Sequence, residues 1–408
     1  MSTSACSVLP PYTPSSAVPS YSPEPASDER LIEQTPRAKP RVCTGTHTKK
    51  SGRDTVVLTD QDPSAPLPTY GRNALISGFV SLEEREKVSE VVLKVKGNME
   101  GMISETGRSV SKTVLDQSYT LWAVQALSDA ACPSTVPFST LLPQMFQDGD
   151  ARHPLPPSYN TRFSASSGLS VKVIYTLSVI VTRTRGRKLA FLAPKNTTTV
   201  IFTYLPRTCP GRPIQPPATS DFLADVKLMP EEWRQITAPG LPRAASALGA
   251  VDMHLFIPAV EVFALGDTIP VHVQLAGAVP SLREFLPSPS SSPGDAEPTV
   301  QVTLVRQLLL TIAGRRGPSR LTLARATLRS APPGPGAAAQ SPHSASLDWT
   351  GALRVDPDVA VGSFDAGVVV VQDFVVLDVL PPAGAKAQFP RLRHSHPIRL
   401  VTDSAPDE

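Results

Sequence analysis

Four short segments set proline just ahead of tyrosine: Leu9-Pro10-Pro11-Tyr12, Val18-Pro19-Ser20-Tyr21, Leu67-Pro68-Thr69-Tyr70 and, further on, Pro156-Pro157-Ser158-Tyr159. Proline holds the chain in an extended polyproline form, so little entropy is lost on docking, and the tyrosine ring can enter an aromatic-lined groove. That is the chemistry read by WW domains. It makes Pro10, Tyr12, Pro19, Tyr21, Pro68 and Tyr70 docking candidates, with Pro156, Pro157 and Tyr159 as a weaker internal set. Tandem copies on one arm gain avidity set by the linker between them. The competing reading is an accident of a tail biased toward Pro, Ser and Tyr.

Basic side chains form the next cluster. "TRTRGRK" sets Arg183, Arg185, Arg187 and Lys188 around Gly186, a residue suited to a strand-to-strand turn. A fork of guanidinium groups there could grip phosphates or carboxylates of a partner, and a solvated hairpin tip is the bland alternative. Arg315, Arg316 and Arg320 in "AGRRGPSR" repeat the pattern later in the chain. His394 and His396 could share one strand face as metal ligands, but no third ligand is evident and a solvated strand is the simpler reading. The chain has no GxGxxG after a strand and no GxxxxGK[ST], HExxH or GxSxG, so nucleotide, zinc-protease and serine-hydrolase chemistry lack their residue patterns. The expectation is a protein that is not an enzyme and needs no cofactor or metal.

The elements that would carry these residues read as strands. In "VKVIYTLSVIVTR" Val171, Val173, Tyr175, Leu177, Val179 and Val181 fall on one face, with Lys172, Thr176, Ser178 and Thr182 on the other. "SEVVLKVKG", "YTLWAVQAL" and "TTTVIFTYLPR" behave alike in a first group. "VDMHLFIP", "DTIPVHVQLAG", "VQVTLVRQLLLTIAG", "RLTLARATLRS", "LDWTGALRV" and "VVVVQDFVVLDVLPP" form a second. Between them "CPGRPIQPPATSDF" reads as a connector and "MPEEWRQITAPG" as a short helix with Pro230 in its first turn. Two strand groups without alternating helices predict an all-β protein of two antiparallel sandwiches in tandem. "LPSPSSSPGDAEP" and "APPGPGAAAQSP" read as long loops within the second.

Composition fits that division. A chain of 408 residues, 41% of them hydrophobic, can bury more than one core. Its 44 prolines are about twice the usual ~5% share, and eleven of them lie in the first 70 residues. That segment predicts a disordered arm, with "RDTVVLTD" a short strand inside it. The expected layout is an arm over 1–70, a sandwich over 71–208, a linker over 209–249, a sandwich over 250–403 and a tail over 404–408. A net charge of +3 makes no case for nucleic acid. The N-terminus has no basic and apolar signal pattern, no apolar run reaches a membrane span, and four scattered cysteines predict reduced thiols.

The succession "YTLWAVQAL…CPSTVPFSTLLPQ…PLPPSYN…VIYTLSVIVTR…YLPRTCPGRPI" resembles the N-terminal sandwich of fungal arrestin-like proteins. "LFIPAVEVFALGDTIPVHVQLAG" and "VVVVQDFVVLDVLPP…HSHPIRLVTD" resemble the C-terminal one, so the likeness covers about 71 to 403. The resemblance implies an adaptor that links plasma-membrane transporters or receptors, through their cytoplasmic tails, to a WW-domain ubiquitin ligase of the HECT type. Such a protein would be cytoplasmic and recruited to plasma membrane and endosomes, with peripheral membrane association permitted. The basic tip would select cargo and the proline-tyrosine motifs would bring the ligase. The family's "LPPS-aromatic" element lies inside its sandwich, which assigns Tyr159 to the fold before docking. Family members carry their motifs after the second sandwich, whereas here docking falls to the N-terminal arm. The alternative is a structural subunit of a sorting or coat complex that recruits no ligase.

Overall fold

The computed structural model describes residues 29–31, 44–124, 131–163, 168–184, 194–219, 221–244, 246–286, 299–331, 345–380 and 387–405. Fourteen strands belong to the first half: β1 (Glu29–Leu31), β2 (Gly45–Ser51), β3 (Asp54–Gln61), β4 (Thr69–Tyr70), β5 (Leu75–Leu82), β6 (Val88–Ile103) and β7 (Arg108–Ala123), then β8 (Thr135–Leu141), β9 (Met145–Asp148), β10 (Ala151–Pro154), β11 (Tyr159–Phe163), β12 (Leu169–Arg183), β13 (Lys195–Tyr204) and β14 (Thr208–Pro210). A four-stranded sheet in the order β2-β3-β5-β8 faces one in the order β4-β13-β12-β6-β7, with β11 also beside β12. All these pairings are antiparallel except β4 on β13. The alternation expected in β12 is present: Val171, Tyr175, Leu177 and Val179 are buried at 0–1% exposure, with polar neighbours outside.

The second half holds β15 (Trp233–Gly240), β16 (Val251–Pro258), β17 (Val262–Ala264), β18 (Thr268–Gly277), β19 (Val300–Ile312) and β20 (Arg315–Arg325), then β21 (Arg329–Ala331), β22 (Ala345–Arg354), β23 (Phe364–Asp365), β24 (Val369–Val379) and β25 (Leu392–Val401). Its sheets run β15-β16-β18-β22-β21 and β17-β25-β24-β19-β20, with β23 beside β24. Only β17 on β25 is parallel there. The molecule is therefore all-β, with two multi-sheet sandwiches. Two short helices are described, and neither is long and apolar enough to cross a membrane.

Three expected boundaries move. Most of the arm lies outside the described residues, but 44–70 belong to the first sandwich. Val56 and Leu58 in β3 are fully buried, and Gly52 at φ +59° makes the tight turn that pairs β2 with β3. Residues 233–240, expected as helix, form β15 in register with β16. The helix start at Pro230 yields only a 3-10 turn, Pro230–Glu232, and strand pairing takes over because Ile236 on β15 enters the second core. The helix instead precedes it as α1 (Phe222–Leu228), capped by the Asp221 carboxylate, which accepts from Leu223 N at 3.1 Å. The linker is thus shorter than 209–249, since the second sandwich already begins at Trp233.

The two sandwiches share a sheet. Along β19, Val300, Val302 and Leu304 enter the second core, whereas Leu308, Leu310 and Ile312 enter the first. On the neighbouring β24, Val375, Leu377 and Val379 serve the second core, and Val369 and Val371 the first. Inward side chains recur every second residue, so one strand face runs uninterrupted across both cores. The close fit is visible at Gly101 of β6, where a Cβ would lie 2.5 Å from Leu310 Cδ1.

Candidate functional site

Where the shared face passes from one core to the other, the inward positions are Arg306 on β19 and Asp373 on β24, directly paired in register. Both are buried, at 2% and 0% exposure. Arg306 Nε donates to Asp373 Oδ1 at 2.8 Å and Nη2 to Oδ2 at 3.0 Å, while Nη1 donates to the Val361 carbonyl at 2.8 Å. Ser363 Oγ donates to Asp373 Oδ2 at 2.7 Å and accepts from Leu400 N at 3.0 Å. A two-pronged bond to the carboxylate plus a carbonyl satisfies much of a charge that would otherwise be costly to bury. Burial works against the Arg306 charge, but Asp373 outweighs it and keeps the guanidinium firmly protonated.

Tyr159 reaches this cluster from the first sandwich. Its ring meets Phe364 edge-on at 5.4 Å between centroids, and its hydroxyl interacts with the side chains of Thr161 and Arg306. Burial pushes the phenol above its ordinary range. The preceding segment is equally committed. Pro156 and Pro157 are buried, the Pro156 carbonyl accepts from Tyr175 Oη at 2.6 Å, and Ser158 N donates to the Tyr204 carbonyl at 2.7 Å. "PLPPSYN" is thus a seam between β10 and β11, and the half-buried Tyr159 contacts the second sandwich.

The remaining motifs divide. Pro68 and Tyr70, expected to dock a partner, are buried: β4 pairs with β13, and Tyr70, 3% exposed, packs edge-on against Phe202 at 5.3 Å. A WW domain would have to unzip that strand to reach the ring. Pro10, Tyr12, Pro19 and Tyr21 lie outside the described residues, as do Arg185, Arg187 and Lys188.

Arg183 does not join a solvent-exposed basic patch. Its Nη1 donates to Asp54 Oδ2 at 2.9 Å, Nη2 bonds Asp54 Oδ1, and Asp54 is fully buried. Asn196 Nδ2 donates to the same carboxylate at 2.6 Å. Asp54 on β3 is thereby tied to β12 and β13 of the facing sheet. Charge that the sequence assigned to cargo is used inside the sandwich.

A Ser, Asp and His meet in the second sandwich without the order that nucleophilic catalysis needs. His272 Nε2 lies 3.1 Å from Asp348 Oδ1, but Ser346 Oγ donates to Asp348 Oδ2 at 2.6 Å rather than to the imidazole. Phe222 of α1 stacks on the His272 ring at 3.9 Å. Burial would raise the Asp348 carboxyl, but hydrogen bonds from His272, Ser346 and Gln274 outweigh it and hold it below the ordinary range. His396 bonds Glu261 at 2.7 Å, and among the described residues no three His, Cys, Asp or Glu side chains gather as metal ligands.

Two cavities flank the Arg306–Asp373 pair. One of about 540 Å³ opens where β25 peels away from β24, lined by Glu261, Asp365, Gln372 and Phe374. The other, about 350 Å³, lies between the sandwiches, with Arg72, Pro157 and Leu205 on one wall and Phe364 and Thr402 on the other. The fold and this junction define a protein of two β-sandwiches joined through one shared sheet. No family model matches the chain, and no curated protein does either.

The sequence reading passed over Arg306 and Asp373, although the signal was there. Each is a charge at an inward position of an otherwise apolar alternation, "VQVTLVRQLLLTI" and "VVVQDFVVLDV".

Proposed function

We propose that this chain is a non-catalytic, arrestin-like adaptor that links plasma-membrane cargo to a WW-domain ubiquitin ligase of the HECT type for ubiquitination and endocytosis. The observation that carries the reading is the division of the proline-tyrosine motifs. Tyr70 and Tyr159 are consumed by the fold, so docking is left to Tyr12 and Tyr21 on an arm ahead of a scaffold whose sandwiches share one sheet. A carrier of that kind can tether a ligase through its arm while the sandwiches hold cargo, as an adaptor requires. The ordered segments that resemble arrestin-like proteins support it as well, since "DTIPVHVQLAG" lies on β18 and "HSHPIRLV" on β25 of one sandwich. On this reading the protein is cytoplasmic and is recruited to plasma membrane and endosomes by its cargo.

The test is binding of purified tandem WW domains to the full chain by calorimetry. Tyr12→Ala with Tyr21→Ala should abolish binding and leave the melting temperature unchanged. Tyr159→Ala should lower the melting temperature and leave binding by the folded fraction intact. An intact chain that binds no WW domain overturns the ligase half and favours a structural subunit of a sorting or coat complex.

A further inference from the structure

In the cavity of about 350 Å³ between the sandwiches, most polar side chains of the lining already have partners. Thr402 Oγ1 accepts from Thr208 N at 2.8 Å, Gln144 Nε2 donates to Asn73 Oδ1 at 2.8 Å, and Ser363 serves Asp373. The exposed Asp365 accepts from Gly367 N at 2.7 Å. Arg399 lines this cavity and its larger neighbour alike. Arg72, in the turn from β4 to β5, differs from these. It is half-buried, and its Nε is shielded from solvent without meeting an acceptor among the described residues. Turned toward the cavity, its Nε–Nη edge would meet a carboxylate as Arg306 meets Asp373, one nitrogen to each oxygen. The lining sets two arginines against one carboxylate, so the charge it lacks is an anion.

The rest of the lining is apolar, and the sequence explains why it offers few donors. Pro154, Pro156, Pro157 and Pro206 have no backbone N–H, and the Pro156 carbonyl is already taken by Tyr175. Pro156 and Pro157 are buried, so the apolar surface within reach belongs to Met145, Leu205 and Pro206 on one side and Val361 and Phe364 on the other. A sugar would leave its hydroxyls without partners there. A hydrocarbon chain needs none. Small-molecule sites combine such walls with a few placed polar groups in volumes of about 300–1,000 Å³. At about 30 Å³ for each heavy atom in a liquid, this cavity holds about twelve, the size of a ten-carbon carboxylate.

We propose that the cavity binds a medium-chain carboxylate, with its head on Arg72 and its chain between Leu205 and Pro206 of the first half and Val361 and Phe364 of the second. The site stands apart from the ligase reading. A ligand there touches both halves, so it adds contacts across the seam where Tyr159 already meets Phe364.

The probe is decanoate, titrated into the full chain by calorimetry beside decanol, which has the same chain length and no charge. Decanoate should bind about tenfold more tightly than decanol or better, and each pair of methylenes removed from it should weaken binding about tenfold. Arg72→Gln should bring decanoate down to the affinity of decanol and leave decanol where it was. Arg72→Lys, which restores the charge without the side-on pair, should recover part of the difference. Saturating decanoate should raise the melting temperature of the full chain, and a lowered one would overturn the site, because the ligand would then favour the unfolded chain. Decanoate that binds no better than decanol, or that binds Arg72→Gln as tightly as the unaltered chain, also overturns it, as does a chain that takes up neither ligand. Should Arg72→Gln fail to fold by circular dichroism, Arg72→Lys and the comparison of the two ligands on the unaltered chain decide the matter.

Discussion

Arg306 and Asp373 stand where two apolar cores meet, and their effect follows from how completely each satisfies the other. Replacing one alone leaves an uncompensated buried charge, a loss of about 3–5 kcal/mol. Arg306→Met or Asp373→Asn should therefore shift the urea midpoint strongly, while Arg306→Met with Asp373→Leu should recover most of the loss. A double variant as unstable as either single would show that the pair positions the sandwiches rather than merely filling the junction. Asp348 allows a prediction in pH. Its folded carboxyl titrates below the ordinary range, so as pH falls the unfolded chain takes up the proton first. Its contribution is whole at neutral pH and drains away in acid. Asp348→Asn should lower the melting temperature at neutral pH, by the loss of hydrogen bonds to a charged group worth about 1.5–3 kcal/mol, and the gap should close toward pH ~3. The sequence displayed both junction charges as breaks in apolar alternation, but nothing in it said that they would be neighbours. Register between strands more than sixty residues apart is set by packing, not by local pattern.

At the scale of elements, long alternating strands were legible and short ones were not. β12 follows from period-two burial alone. β4 has two residues, too few to show a period, so Tyr70 looked like part of a docking peptide although its strand pairs with β13. β15 was misread because a proline and two glutamates do start a helix, but one that ends as a 3-10 turn at Glu232, while the strand's pairing partner β16 lies beyond the local window. Gly97 of β6 ties one such element to its neighbours. A Cβ there would lie 2.5 Å from the Tyr175 ring, whose hydroxyl holds the Pro156 carbonyl. Gly97→Ala should displace that ring at a cost of about 1–3 kcal/mol. Hydrogen exchange at the Ser158 amide should quicken with it, and an unchanged rate there would mean that the seam is held by its other bonds.

For the whole molecule, the tandem plan was legible, but the sharing of cores was not. Sequence grouping assigns β19 and β24 to the second sandwich, yet Leu308, Leu310, Ile312, Val369 and Val371 serve the first. The two halves should consequently melt together, giving one calorimetric transition for the full chain. A fragment of residues 233–405 would expose Leu308, Leu310 and Val371 to water, and it should bind a hydrophobic dye or precipitate. Two separate transitions, or a soluble, dye-free fragment, would show that the cores are independent.

The same strands decide how the sandwiches can move. In a protein whose domains meet through a loop, one half swings about a few backbone bonds. Here β19 and β24 pass through the junction without a break, so a change of angle must either shift Leu308, Leu310, Ile312, Val369 and Val371 within the first core or bend a hydrogen-bonded sheet, as a beam bends under load. Resistance to bending then depends on every rung between Val300 and Leu310, the one where Arg306 and Asp373 face each other among them. Spin labels at the far ends of the two sandwiches should report a narrow distribution of distances, one that broadens when that rung is removed.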